Sequence, residues 1–388
     1  MDPAGMNHQQ ICTHLGDQYN RFHGAVVPPI YQNSLFVYEN FDSFIEAMKD
    51  EQHNYLYWRG NNPTVEIAEQ KLAALEKGER CKLFSSGMAA ISSAILTFVR
   101  SGDHILSVSN IYGPATKFFK YIEKFGINHT NIKSTNLEDI EKAITPSTKM
   151  IYLESPTTMT FKMVDLAKVA KLAKHYDLHT IIDNTWATPI FQNPLEFGID
   201  IVVHSVSKYI GGHSDIVGGA LITSTEIMDR IFYDEYQLLG GAMPPYEAWL
   251  LTRGLRTLPL RMKAHQESAF LVSKFLEQHQ AVKKVNYPGL RSHPDFELGK
   301  TQMKGYSGLL SFELKNDTFE AVRNVLNSLK QFKIGVSWGG FESLALSPNY
   351  GHNTEALITS NISPGMIRIS VGLEECSDLI DDLEKALV

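Results

Sequence analysis

Between about residue 64 and residue 240 the chain repeats one pattern, a short apolar run followed by an amphipathic helical stretch. Ile105–Val108, Met150–Leu153, Thr180–Ile182, Ile201–Val203 and Ala220–Thr223 read as strands. Thr64–Leu75, Met88–Phe98, Pro114–Phe125 and Asp165–Tyr176 carry apolar residues at helical spacing. Strands alternating with helices predict an α/β fold with a mostly parallel sheet flanked by helices, because each crossover between parallel strands needs a helix's length of chain. Such sheets bind ligands beyond the carboxyl ends of their strands. After residue 241 the pattern changes. A long helical stretch, Tyr246–Phe275, precedes two strand-like runs, Leu309–Leu314 and Ile367–Val371, with helices at Phe319–Leu329 and Cys376–Leu387. The expected organisation is therefore an α/β domain over 61–240 and a smaller α+β domain over 241–388. Residues 1–60 read as an irregular arm, with Pro28-Pro29 and several aromatics, that reaches onto a neighbouring subunit. Within it, 1–5 is set aside as a remnant ahead of Met6.

Composition narrows the partners. A net charge of −7 argues against nucleic acid or an anionic membrane surface, both of which favour a basic face. No apolar run approaches the roughly 18 residues of a membrane span. No basic-then-apolar leader opens the chain. Cys12, Cys81 and Cys376 are odd in number, far apart and without a C-x-x-C pair, which suits free thiols in a reducing cytoplasm.

The chemistry-bearing residues cluster at strand ends. Thr180-Ile181-Ile182-Asp183 is an apolar strand closed by an acid, and Ile201 to Val203 leads into His204-Ser205-Val206-Ser207-Lys208. Burying an aspartate and a lysine is costly, so a bare core would not select them. A pyridoxal 5′-phosphate site needs both. The lysine binds the cofactor covalently, and the carboxylate keeps the pyridine nitrogen protonated so that the ring draws off electrons. Phe84-Ser85-Ser86-Gly87-Met88 puts small residues before an apolar helix, where free N–H groups suit a phosphate. Simple capping by Ser85 or Ser86 is the alternative. Ser205 and Ser207 add hydroxyls to the same crevice. Asp183 has capping of a following N–H as its plain alternative. Tyr112, just after Ile105–Val108, is placed to lie on a ring, or is an ordinary core or surface aromatic. Arg368, a charge inside an apolar strand, suits a carboxylate clamp or a structural ion pair. His204 and His213 read as structural hydrogen-bonders, and no metal site is expected. Neither G-x-G-x-x-G after a strand nor a P-loop is present, so nucleotide-binding readings are weak.

Together these residues resemble the Cys/Met-metabolism family of fold-type I pyridoxal-phosphate enzymes. The likeness spans nearly the whole chain. It runs through Gly24-Ala25-Val26-Val27-Pro28-Pro29-Ile30-Tyr31 and Tyr57-Trp58-Arg59-Gly60-Asn61-Asn62-Pro63-Thr64, then S-S-G-M-A-A, I-D-N-T-W-A-T-P and H-S-V-S-K-Y-I-G-G-H-S-D. Ser337-Trp338-Gly339-Gly340-Phe341-Glu342-Ser343 completes it. The resemblance implies catalytic roles for Lys208, Asp183 and Tyr112. It implies phosphate binding by Gly87, Met88, Ser205 and Ser207, and by Tyr57 and Arg59 from a neighbouring subunit. Arg368, with Ser337 and Trp338 nearby, would hold the substrate carboxylate. Family members are usually tetramers built from two dimers.

Four positions bear on which member this is. Val336 stands where enzymes acting at Cγ commonly carry glutamate, and Trp338 where they often carry leucine. Glu154-Ser155-Pro156-Thr157-Thr158-Met159 lacks the asparagine of the family's E-S-P-x-N-P turn. Pro114 replaces the cysteine typical of methionine γ-lyases. The resemblance therefore implies a cytoplasmic, cystathionine β-lyase-like carbon–sulfur lyase, which would split L-cystathionine or a related cysteine conjugate to a thiol, pyruvate and ammonia. A γ-elimination or γ-replacement enzyme is the alternative. A non-catalytic scaffold and a nucleotide-dependent dehydrogenase are more distant ones.

Overall fold

The computed structural model describes residues 3 and 5–387, so residues 1, 2 and 4 of the set-aside stretch lie outside it. Seven strands form the larger sheet: β1 (Arg80–Phe84), β2 (His104–Val108), β3 (Asn128–Ile132), β4 (Thr148–Glu154), β5 (His179–Asp183), β6 (Ile201–Ser205) and β7 (Gly219–Thr223). Their order is β1-β7-β6-β5-β4-β2-β3. β3, β2, β4, β5 and β6 run parallel, while β7 lies antiparallel to both β6 and β1. The five strands expected from apolar runs all form. The two missed ones have identifiable reasons. β1 reads Arg-Cys-Lys-Leu-Phe, and β3 is the polar edge Asn-His-Thr-Asn-Ile. Neither offers an uninterrupted apolar signal, and edge strands need none.

Alternation across the pleat splits the core. Tyr152, Ile181, Val203 and Leu221 pack on one face under the helices Gly87–Leu96 and Gly113–Ile122. Leu153, Ile182 and Val202 pack on the other against Leu166–His175. A further core continues from the strands near β1 and β7 into the second half of the chain.

The expected single helix Tyr246–Phe275 is two, Pro245–Arg256 and Leu258–Gln278. Pro259 sits in the first turn of the second, where its missing N–H costs nothing, whereas in one continuous helix it would break the ladder. The smaller sheet comprises β8 (Val282–Asn286), β9 (Leu309–Leu314), β10 (Lys333–Ile334), β11 (Leu344–Leu346) and β12 (Met366–Ser370), in the order β10-β11-β12-β9-β8.

The N-terminal segment is less irregular than expected. Asn7 caps a helix, His8–His14, whose Ile11 and Cys12 are fully buried in this chain's own core. A second helix spans Phe41–Lys49. Between and around these, Val26, Val27, Leu35, Val37 and Phe41 remain exposed. Among the described residues no helix is long and apolar enough to cross a membrane.

Candidate active site

Three strand ends meet in one crevice. Glu154 closes β4, Asp183 closes β5 and Ser205 closes β6. Glu154 and Asp183 are register partners, so both carboxyls leave the same face of the sheet. Asp183 Oδ1 accepts the backbone N–H of Thr185 at 3.0 Å and the Thr185 hydroxyl. That hydroxyl oxygen in turn accepts the Ser205 N–H at 2.8 Å, which pins the end of β6 to the end of β5. Asp183 therefore does cap a following N–H, as its plain reading has it, and still faces the crevice. Burial pushes its carboxyl up, opposed by the Thr185 donors and by His204 and Lys208. His204 leaves the opposite side of β6. Its Nε2 lies 2.7 Å from Oε1 of Glu76, a fully buried carboxylate that also takes the amides of Asn184 and Asn193. His213 Nδ1 meets the Gly211 carbonyl at 2.8 Å.

The helix Gly87–Leu96 begins beside this point. Ser86 caps it, accepting the Ala89 N–H at 3.1 Å. A Cβ on Gly87 would come 3.1 Å from the Ser205 Cβ, so the helix N-terminus and the end of β6 are as close as glycine allows. Met88 follows on the first turn, half-buried. Ser207 holds the loop after β6 closed: its Oγ accepts the Gly218 N–H at 3.0 Å.

Lys208 lies in that loop, half-buried, with Nζ 5.8 Å from the centroid of the Trp338 ring. Burial lowers its pKa and the Arg368 guanidinium lowers it further, against a smaller opposite pull from Asp183. Arg368, on β12, donates to the Ser337 carbonyl at 2.9 Å. Burial lowers its own pKa to about 10. Among the described residues no carboxylate lies within ion-pair distance of it, so the structural ion-pair reading fails. Ser337 holds φ +78°, a strained value for a residue with a Cβ, and its turn packs on Lys208 and Tyr209. Trp338 lies 5.5 Å from the Tyr209 ring.

Tyr112 sits just before the helix Gly113–Ile122 and is 42% exposed. Its N–H donates to Glu154 Oε2 at 2.7 Å, and burial with Asp183 and Glu154 raises its phenol pKa. The structure thus brings together Gly87, Met88, Tyr112, Asp183, Ser205, Ser207, Lys208, Ser337, Trp338 and Arg368. It leaves Tyr57 and Arg59 out of this group. Arg59 stacks over Tyr57 at 5.2 Å and bonds Gln237 at 3.1 Å, with Tyr57 exposed. Sequence reasoning passed over Glu154, although an acid closing an apolar strand is the same signal that marked Asp183. Thr185 and the Glu76–His204 pair carried no local signal. A cavity of about 870 Å³ between Ile132, Lys133, Asp165, Lys168 and Asp295 shares no residue with this crevice.

The residues present fit pyridoxal phosphate. An amine without a carboxylate partner suits the aldehyde, and a buried carboxylate suits a protonated ring nitrogen. A helix N-terminus pressed against Ser205, with Ser207 two residues on, suits the phosphate. The unpaired guanidinium suits an amino-acid carboxylate.

Comparison with known proteins agrees. The family model for Cys/Met metabolism PLP-dependent enzymes matches residues 9–388. An L-methionine gamma-lyase of Fusobacterium nucleatum subsp. nucleatum is 39% identical over 382 residues, covering 96% of each chain. A cystathionine gamma-lyase of Bacillus subtilis is 40% identical over 388 residues, covering 98% of this chain and 99% of its own. The crystal structure of metB from Corynebacterium glutamicum superposes with a TM-score of 0.92 at 33% identity, over 100% of this chain and 99% of that one. The chain belongs to the Cys/Met-metabolism family of pyridoxal-phosphate-dependent enzymes and has the fold-type I architecture.

Proposed function

We propose that this enzyme is a carbon–sulfur lyase that cuts at the γ carbon of a sulfur amino acid, methionine or cystathionine, releasing a thiol, 2-oxobutyrate and ammonia. The observation that carries the lyase reading is Lys208 beside an unpaired Arg368, with Asp183 across the same crevice. For the position of the bond, full-length similarity to a methionine gamma-lyase and a cystathionine gamma-lyase supports the γ carbon. The residue cues that favour the β carbon lose force in the structure. Val336 is 83% exposed on this chain. Trp338 packs on Tyr209 as much as it faces Lys208.

Bound pyridoxal phosphate supplies the sink for the electron pair left when a bond at the substrate Cα breaks. Arg368 holds the substrate carboxylate, and its link to the Ser337 carbonyl fixes the guanidinium plane. The Lys208 amine, lowered in pKa by burial and by Arg368, would act as the base for the Cα proton and then for the Cβ proton, whose removal the departure of sulfur from Cγ requires. Asp183, held by Thr185, would hold the ring nitrogen in its protonated form. Tyr112 covers the crevice and carries a proton toward the departing sulfur. Ser205, Ser207 and the N–H groups of Gly87 and Met88 would bind the cofactor's phosphate.

Tyr57 and Arg59 reach a neighbour's phosphate in an oligomer, on this reading. The apolar residues left exposed around them, Val26, Val27, Val37 and Phe41, together with Leu238 and Leu239, suit burial against a second copy. Three free cysteines and a net charge of −7 suit the cytoplasm.

The test is product analysis on L-methionine and L-cystathionine. 2-Oxobutyrate from either supports γ-elimination. Pyruvate with homocysteine from cystathionine would return the assignment to the β carbon.

A further inference from the structure

Glu154 has no part in the reading above, yet it sits at its centre. It is 8% exposed, and among the described residues no cation lies within ion-pair distance. Both carboxyl oxygens are occupied. Oε2 takes the Tyr112 N–H at 2.7 Å, and Oε1 meets the Thr158 hydroxyl. The Thr158 N–H donates to the Asn110 carbonyl at 3.0 Å, which closes the ring: the loop 109–112 and the turn 155–159 are strapped together around one side chain. Ser109, which begins that loop, holds φ +60°, so the loop is not in a conformation it would keep unaided.

We propose that Glu154 is the positioning residue for Tyr112, acting as a shape-fitting hydrogen-bond partner and not as a second negative charge beside Asp183. It rests on the reading of this crevice as the cofactor site. The charge argument is geometric. Two carboxyls at paired positions on adjacent parallel strands cannot both ionise cheaply. Thr185, His204 and Lys208 favour the anion on Asp183, and the groups facing Glu154 (Asp183, and the phenols of Tyr112 and Tyr152) offer no positive charge. Burial and Asp183 push Glu154 up to about 8, outweighing the hydrogen bonds from Thr158 and Tyr112 that favour its anion. The Thr158 hydroxyl donates to the carboxylate, and when Glu154 is a neutral acid that hydroxyl can rotate to accept instead, while the Tyr112 N–H still donates to Oε2. A glutamine makes both bonds in the same way, with its carbonyl and amide groups.

Glu154→Gln and Glu154→Ala would be compared with wild type by thermal unfolding of the apo protein, by visible circular dichroism of the bound cofactor, and by kcat and KM. The glutamine variant should keep the wild-type dichroism and a kcat within about 3-fold. The alanine variant should fold, bind cofactor with altered dichroism, and lose about 30- to 100-fold in kcat with little change in KM, because the Tyr112 ring is no longer fixed. Equal losses in both variants would show that the charge matters and overturn the proposal. An alanine variant with wild-type dichroism and kcat would overturn it as well. If Glu154→Ala does not fold, Glu154→Met, which fills the volume but makes neither bond, takes its place. Failure of the underlying site reading would appear elsewhere, as wild-type cofactor absorbance in Lys208→Ala.

Discussion

Replacing Gly339 by alanine would test whether the turn carrying Ser337 and Trp338 is what holds Lys208 in place. Gly339 has φ +81°, and an added Cβ would lie 2.7 Å from the Tyr209 nitrogen and 3.1 Å from the Lys208 carbonyl carbon. The left-handed backbone costs about 1–2 kcal/mol for a residue with a Cβ. The overlap is with backbone, which cannot swing away, and adds about 1–3 kcal/mol. The expected loss is therefore about 2–5 kcal/mol. At roughly 2.1 cal/mol/K of unfolding entropy per residue, each kcal/mol lowers Tm by about 1.2 °C in a chain of this length, so the drop should be about 2–6 °C. The activity loss should be larger in proportion, because the strain is relieved by moving the Lys208 backbone. A displacement of about 1 Å costs on the order of 100-fold in kcat. Differential scanning calorimetry and steady-state kinetics measure both. Gly335→Ala is the control: its Cβ meets only Leu344 Cδ2, at 3.4 Å, an ordinary contact, and should change stability by less than about 0.5 kcal/mol. A Gly339→Ala protein with unchanged Tm and kcat within 2-fold of wild type, on the order of experimental scatter, would refute the reasoning.

Other variants probe the remaining parts. Lys208→Ala should lose at least about 10⁴-fold in turnover, since it removes both the covalent group and the base; stopped assays of keto-acid product read this. Arg368→Ala should raise KM by about 30-fold or more, the loss of one buried charge-assisted clamp. It also removes a positive charge that depresses the Lys208 pKa, so more of the amine is protonated at pH 7 and capture of cofactor by the apo protein should slow, which mixing experiments followed by absorbance detect. Glu154 gives a pH signature in the apo protein. Its folded pKa is raised, so the folded state binds more protons than the unfolded one, and its contribution is present at low pH and lost as pH rises toward about 8. The Tm of Glu154→Gln relative to wild type should therefore climb between about pH 5 and pH 8, and a pH-independent difference would count against that shift. Arg59→Ala should weaken cofactor affinity in the oligomer while leaving the fold of each subunit intact, because among the described residues its own-chain partners are Gln237 and the Tyr57 ring.

Much of the site was legible because strand ends are visible in sequence. Ile181-Ile182-Asp183 and Val202-Val203-His204-Ser205 each show an apolar run stopped by polar atoms, and a parallel sheet gathers such stops into one crevice. Arg368 stood out for the same reason, as a guanidinium between Ile367 and Ile369. What escaped depends on register and on long-range pairing. Glu154 closes an apolar strand as Asp183 does, but its place beside Asp183 comes from the register of β4 on β5, which no local pattern encodes. Glu76 meets His204 across 128 residues of chain. The short strands follow from pairing, β11 on β12 and β10 on β11, not from any alternation of their own. The helix His8–His14 was read as part of an irregular arm because it is only seven residues long and owes its stability to burial of Ile11 and Cys12. The β-versus-γ cues point to the β carbon while full-length similarity favours the γ carbon, and Val336, at the surface of the single chain, says little about a pocket.

The central claim is γ-elimination on this family's cofactor chemistry. Its most direct test is to incubate the purified, cofactor-loaded enzyme with L-cystathionine and identify the keto acid. Cystathionine should give 2-oxobutyrate together with cysteine, and L-methionine should give 2-oxobutyrate with methanethiol. Pyruvate together with homocysteine would contradict the claim.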